Sequence, residues 1–184
     1  MNAIYVNRFI ATLVSIATSI VMLGLAQPTF AQDGAPKIRE RIGVYDSRSI
    51  AIAFVRSPAH ERELQQLITE HRKAKEAGEL DKVAELEAEG KAQQKKAHQQ
   101  AFSTEPVDDL LLHITNALPE IQKAAGVTVL ISKWDEAGLR KHAGAEKVDV
   151  TLQLVDAFQP NARQRKSAIE IQARKPIPSE RIKD

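Results

Sequence analysis

The stretch from Pro58 to Ala101 restricts this chain more than any other: it carries helical spacing and very little apolar surface. From Ala59 to Ala77, Leu64, Leu67, Ile68 and His71 recur at the interval of one helix face, with Glu, Gln, Arg and Lys on the other. Ser57 is placed to cap this helix, Pro58 suits its first turn, and Gly78 suits its C-terminal end. A second helical run follows from Leu80 to Ala101. Its stripe is thinner still: Leu80, Val83, Ala84 and Ala88, then only alanines, while Lys91 to Gln100 contains nothing but Lys, Gln, Ala and His. A helix so poor in apolar side chains cannot anchor itself in a core, so it is solvated or lies on a partner. The two runs predict an antiparallel helical hairpin at about 58–101, with arms of about 30 Å at 1.5 Å per residue.

The core must therefore come from the flanking segments. Arg41 to Tyr45 reads as a short strand, and Ser49 to Val55 as either its extension or a short helix. After the hairpin, Ser103 or Thr104 is positioned to cap a third helix whose face is Val107, Leu110, Leu111, Ile114, Leu118 and Ile121. Asp108 and Asp109 complement its dipole, and Pro119 should kink or restart it. Gly126 ends it. Val127 to Ser132, rich in β-branched residues, is the clearest strand, and Trp134 beside it reads as a core or rim anchor. Asp135 to Lys147 reads as a loop with a short helical turn, with no strand legible in it. Asp149 or Thr151 then caps a helix through Leu152, Leu154, Val155 and Phe158. The basic segment 162–184 reads as an extended or disordered tail with a short helical piece around Ser167 to Ala173. The expected class is α+β and mostly helical: a small β core with a protruding antiparallel hairpin, in one domain over 32–161.

The first 31 residues read as a signal peptide. Arg8 is the only charge before Asp33, Phe9 to Ala26 is nearly all apolar or small, and Thr29-Phe30-Ala31 offers small side chains at −3 and −1 of a cut after Ala31. The apolar stretch is slightly short for a spanning helix and carries Thr and Ser. Net charge is +2, and 4% aromatic residues leave little for base stacking, so a nucleic-acid partner is not expected. The absence of cysteine excludes disulfides, thiolate chemistry and lipidation at a cysteine, and suits an oxidising compartment.

Three segments resemble the Skp/OmpH family of periplasmic chaperones. Ile42-Gly43-Val44-Tyr45-Asp46-Ser47 is similar to that family's opening strand. Gly126-Val127-Thr128-Val129-Leu130-Ile131-Ser132-Lys133 is similar to its second strand, entered from a helix through glycine. Val148-Asp149-Val150-Thr151 with Leu154-Val155-Asp156-Ala157-Phe158 is similar to its cap and closing helix. The basic segment after Pro160 lies outside the resemblance. What it implies is a periplasmic protein whose β core trimerises and whose helical arms enclose an unfolded client.

No catalytic, metal or cofactor chemistry is expected. His60, His71, His98, His113 and His142 show no metal-ligand spacing, and no phosphate loop or nucleophile elbow is present. Asp46-Ser47-Arg48 is a polar site at a strand end or a turn with an Asp cap. Asp108-Asp109 complements a helix dipole, since adjacent helical residues point apart. The expected contact residues are the apolar seam, Leu64, Leu67, Ile68, Leu80 and Val83, and the basic run Lys91, Lys95 and Lys96, which is a solvated face or a mobile arm for anionic lipid or acidic clients. Two functions fit. One is a holdase that binds unfolded or outer-membrane proteins through weak multivalent contact and oligomerises to cover open strand edges. The other is a monomeric envelope structural or adaptor protein that docks one defined partner.

Overall fold

The computed structural model describes residues 39–55 and 57–182, so the proposed signal segment lies outside the described residues. Strand β1 (Arg41–Tyr45) leads into α1 (Ser47–Phe54), α2 (Pro58–Ala77) and α3 (Leu80–Phe102). Then come α4 (Asp108–Leu111) with a 3-10 turn, α5 (Leu118–Ala125), β2 (Leu130–Ser132), α6 (Glu136–Lys141), β3 (Glu146–Asp149), α7 (Thr151–Ala157) and α8 (Ala162–Glu170) with two 3-10 turns. The fold is α+β and mostly helical, around a parallel three-stranded sheet of order β2-β1-β3. No helix among the described residues is long and apolar enough to cross a membrane.

β1 is the centre of the sheet and its most buried strand, with Ile42, Gly43 and Tyr45 all buried. Gly43 pairs with Leu130 on one side and Val148 on the other. Its missing side chain makes room: a Cβ there would lie 2.8 Å from Leu130 Cδ2, 3.0 Å from Val150 Cγ2 and 3.2 Å from Val127 Cγ2. Gly43→Ala is therefore expected to cost about 1–3 kcal/mol by overpacking. Urea unfolding measures it, and a variant as stable as the parent would show that these neighbours give way freely.

α1 resolves the strand-or-helix alternative at residues 49–55. Asp46 caps it by accepting the Arg48 N–H at 3.1 Å. Seven of its eight residues are buried: Ile50, Ala51, Ala53 and Phe54, and also the polar Ser47, Arg48 and Ser49 of its first turn. α3, α7 and α8 pack against it. The core runs through Tyr45, Ile50, Phe54, Val107, Leu110, Val150, Leu154 and Phe158.

Four expectations need correction. The third helix restarts around Pro119 as expected but breaks earlier: α4 and its 3-10 turn stop at Ile114, and Thr115 turns its hydroxyl back to the Leu112 carbonyl at 2.8 Å. That bond offers the backbone an alternative to the next helical turn, and Pro119 then sits in the first turn of α5. Neither Ser103 nor Thr104 caps it; Ser103 ends α3. Second, the loop 135–147 runs into a strand, its last two residues being the first half of β3. β3 has only one partly buried residue, Val148, yet it pairs with Arg41–Val44 of β1, with Arg41 and Glu146 in an ion pair at 3.3 Å. Third, β2 begins at Leu130, later than expected, although Thr128 and Val129 already exchange backbone hydrogen bonds with Arg41 and Gly43.

The fourth concerns the basic segment after Pro160, which is folded. Asn161 and Gln164 form a reciprocal capping box that starts α8. Ala168 and Ile171 are buried, Ala168 against the core cluster. The Ser49 hydroxyl donates to the Ala168 carbonyl at 2.7 Å and the Arg48 guanidinium to the Arg174 carbonyl at 2.9 Å. Farther on, the Ile177 N–H donates to the Phe102 carbonyl at 2.8 Å, and Ser179 bonds both Ser103 and Glu105. Residues 162–182 thus form a strap across α1 and the end of α3.

Candidate functional surface

α2 and α3 are the elements that sequence reasoning charged with contact. Each is well terminated. The Ser57 hydroxyl accepts the His60 N–H, and Gly78 closes α2 in the left-handed conformation at φ 73°. Of α2 only Ala74 is buried, and of α3 only Leu86, Gln100 and Ala101. The helices pack on one another: Leu67 lies against Gly90, and the His71 ring nitrogen lies 3.3 Å from the Glu87 carboxylate.

The expected contact residues separate into groups. Leu64 and Ile68 are exposed, at 40% and 50%, and Leu80 at the turn reaches 79%. Leu67 and Val83 are half-buried. The stripe drawn through Leu80, Val83, Ala84 and Ala88 missed Leu86, which is the residue of that run that actually packs. Lys91 and Lys95 are exposed, whereas Lys96 is tied to Asp109 at 2.8 Å and so joins α3 to α4. The basic run is thus divided between open cations and one bridging cation.

Leu64 and Leu67 also meet at a groove that the sequence did not announce. It holds about 600 Å³, half open to solvent, between α1, α2, α3 and the start of α8. Ile52, Leu64, Leu67, Ala97, Ala101 and Phe102 form its apolar walls. Ile68, Leu80, Val83 and the three lysines do not line it. The signals that could have found it are the bare Gly90 on α3 and the Asn161-x-x-Gln164 capping pattern, which brings α8 over it.

The polar cluster at Asp46 is the other dense site. Asp46 sits at the C-terminal end of the central strand, 1% exposed, and one of its oxygens is 2.8 Å from Arg48 Nη2 and 2.6 Å from Lys133 Nζ. The other accepts from Arg48 Nε and from the Trp134 indole at 3.3 Å. Arg48 and Lys133 both lie against the Trp134 ring, at 5.0 and 4.6 Å from its centroid. The Asp46 backbone N–H donates to the Thr151 hydroxyl at 3.0 Å, which locks α7 to the strand. Burial alone would push the carboxyl up; hydrogen bonds from Arg48 and Lys133, with their charges, hold it below the ordinary aspartate range. Beside it, burial pushes the Tyr45 phenol up to about 12, helped by the Asp108 and Asp135 charges, so it stays protonated at neutral pH. With both oxygens of Asp46 engaged, the cluster fastens β1, β2, α1 and α7 together. It therefore acts as the cap that the sequence allowed for, with two cations added.

Among the described residues, no group of three or more His, Asp or Glu is arranged to hold a metal ion. The chain was compared with protein-family models, curated proteins and solved structures, and none of them matches.

Proposed function

We propose that the protein is an exported, periplasmic holdase-type chaperone of the Skp/OmpH kind, which shields unfolded or outer-membrane proteins by surface contact and makes or breaks no bonds. The observation that carries this is the poverty of α2 and α3. Two helices of 20 and 23 residues place four side chains in the buried set and leave Leu64, Ile68 and Leu80 exposed. Such arms offer many weak apolar contacts among charges, enough to cover a client in aggregate and too little to hold it permanently. In this reading they are a protruding antiparallel hairpin. The pairings Leu67 with Gly90 and His71 with Glu87 support that, since one partner advances as the other retreats.

The sheet supports the second half of the proposal. Among the described residues it has three short strands, and none of those residues pairs with the outer edge of β2 or β3 as a further strand. An unpaired edge is a template for another strand, so self-association into a trimer would complete the core. Lys91 and Lys95 would add weak attraction for anionic lipid or acidic clients.

Light scattering on the secreted form should give three times the protomer mass. A stoichiometric amount should suppress aggregation of a urea-denatured outer-membrane protein diluted into buffer. A monomer that leaves the aggregation trace unchanged would reject the chaperone reading and favour the adaptor with one dedicated partner.

A further inference from the structure

We infer that the groove between α1, α2, α3 and α8 is a binding site for a single-chain amphiphilic anion, a fatty-acid carboxylate. Its volume of about 600 Å³ falls within the ~300–1,000 Å³ of small-ligand sites. Its walls are aliphatic and aromatic, which suits a methylene chain. The charges select the head group. Among the lining residues there is no carboxylate, and the only permanent cation is Arg163.

Arg163 is exposed in the first turn of α8, and no described residue pairs with it, whereas its neighbour Arg165 is held by Asp156 at 2.6 Å. The N-terminal end of α8 adds the positive end of a helix dipole with no acidic residue in its first turn to cancel it. Side-chain amides of Gln94 and Asn161 also line the groove and can donate to an anionic head. Neither Glu89, which accepts from the Gln93 amide at 3.0 Å, nor Glu63, which faces His113 at 3.4 Å, lines the groove. A long chain with a negative end therefore matches both the wall and the rim, and a cationic amphiphile matches only the wall.

Gly90 makes this testable without damaging the fold. A Cβ there meets only Leu67 Cδ2, at an ordinary 3.5 Å, so Gly90→Leu should be accepted by the backbone and should place its side chain in the groove. Dodecanoate and dodecyltrimethylammonium, titrated calorimetrically below their micelle concentrations into the secreted form, are the probes. Dodecanoate should bind at one site per chain, at least ten-fold more tightly than the cation of equal chain length. Gly90→Leu should weaken dodecanoate at least ten-fold while leaving the thermal midpoint unchanged or raised. Arg163→Gln should lower dodecanoate affinity about five-fold, as for an exposed ion pair, and leave the cation unaffected. Equal affinity for the two probes would overturn the inference. So would binding that Gly90→Leu does not disturb, or no saturable binding at all. The site does not depend on the chaperone reading, because the titration contains no client.

Discussion

Asp46→Asn should destabilise the protein by about 3–5 kcal/mol, the range for removing one partner of a buried ion pair. The substitution keeps the shape and removes the charge. It leaves Arg48, itself 1% exposed on its side chain, and Lys133 facing one another with no anion between them. The same change flattens the acid limb of the stability profile. In the folded chain the Asp46 carboxyl titrates below its ordinary value near 3.8, because Arg48 and Lys133 outweigh the burial that would raise it. A group with a depressed folded value binds its proton more readily when unfolded. Its contribution is therefore fully present above the unfolded value and drains away as pH falls through the folded one. The parent should lose stability below about pH 4 more steeply than Asp46→Asn does. The chain has one tryptophan, Trp134, and its indole donates to Asp46, so its fluorescence reports both the unfolding midpoint and the local change. Matching midpoints and matching acid limbs in the two proteins would show that the cluster is solvated and contributes nothing.

The elements that the sequence revealed are those whose signal is local. α2 and α3 lie within a residue of their expected ends because Ser57-Pro58 and Gly78 are punctuation that acts on its own backbone. β1 was legible for the same reason, as a short apolar run bounded by polar residues. β3 was not, because Glu146-Lys147-Val148-Asp149 has no apolar alternation. Its strand state is imposed by the register with Arg41–Val44, more than a hundred residues earlier in the chain. Leu86 escaped the stripe because the face that packs is set by where α2 and α1 lie, which the sequence of α3 alone does not state.

The candidate surface divides along the same line. The solvated face of Lys91 and Lys95 was legible, since Lys, Gln, Ala and His offer nothing to bury; which of the seam residues Leu64, Leu67, Ile68, Leu80 and Val83 stay exposed was not. The groove was not, since it exists only where four elements converge. Asp46-Ser47-Arg48 could be read as a cap. That Lys133 and Trp134 would complete it required β2 to lie beside β1.

The strap carries the second large prediction. A segment rich in Arg and Lys with two prolines argued that 162–184 stays outside the core; the structure instead starts α8 at an Asn161–Gln164 capping box and buries Ala168 and Ile171. Ending the chain at Pro160 should therefore remove several kcal/mol. Loss of the buried Ile171 alone is worth about 2–5 kcal/mol. Ser49, which is fully buried, and Arg48 each lose a carbonyl partner as well, at about 1–3 kcal/mol apiece where no water replaces it. Against a total of ~5–15 kcal/mol for an ordinary domain, that is a large share of the stability. A nested truncation locates it. Ending at Lys175 keeps Ala168, Ile171 and the Arg174 carbonyl and gives up only the contacts of Ile177 and Ser179 with the end of α3, so it should cost no more than about 2 kcal/mol. Urea unfolding followed by Trp134 fluorescence ranks the three chains: full length, then Lys175, then Pro160. A disordered tail predicts three coincident curves, and that result would return residues 162–184 to solvent. The ranking would also show that α8 is held in place by the core, so that Arg163 stands at the rim of the groove as a fixed charge.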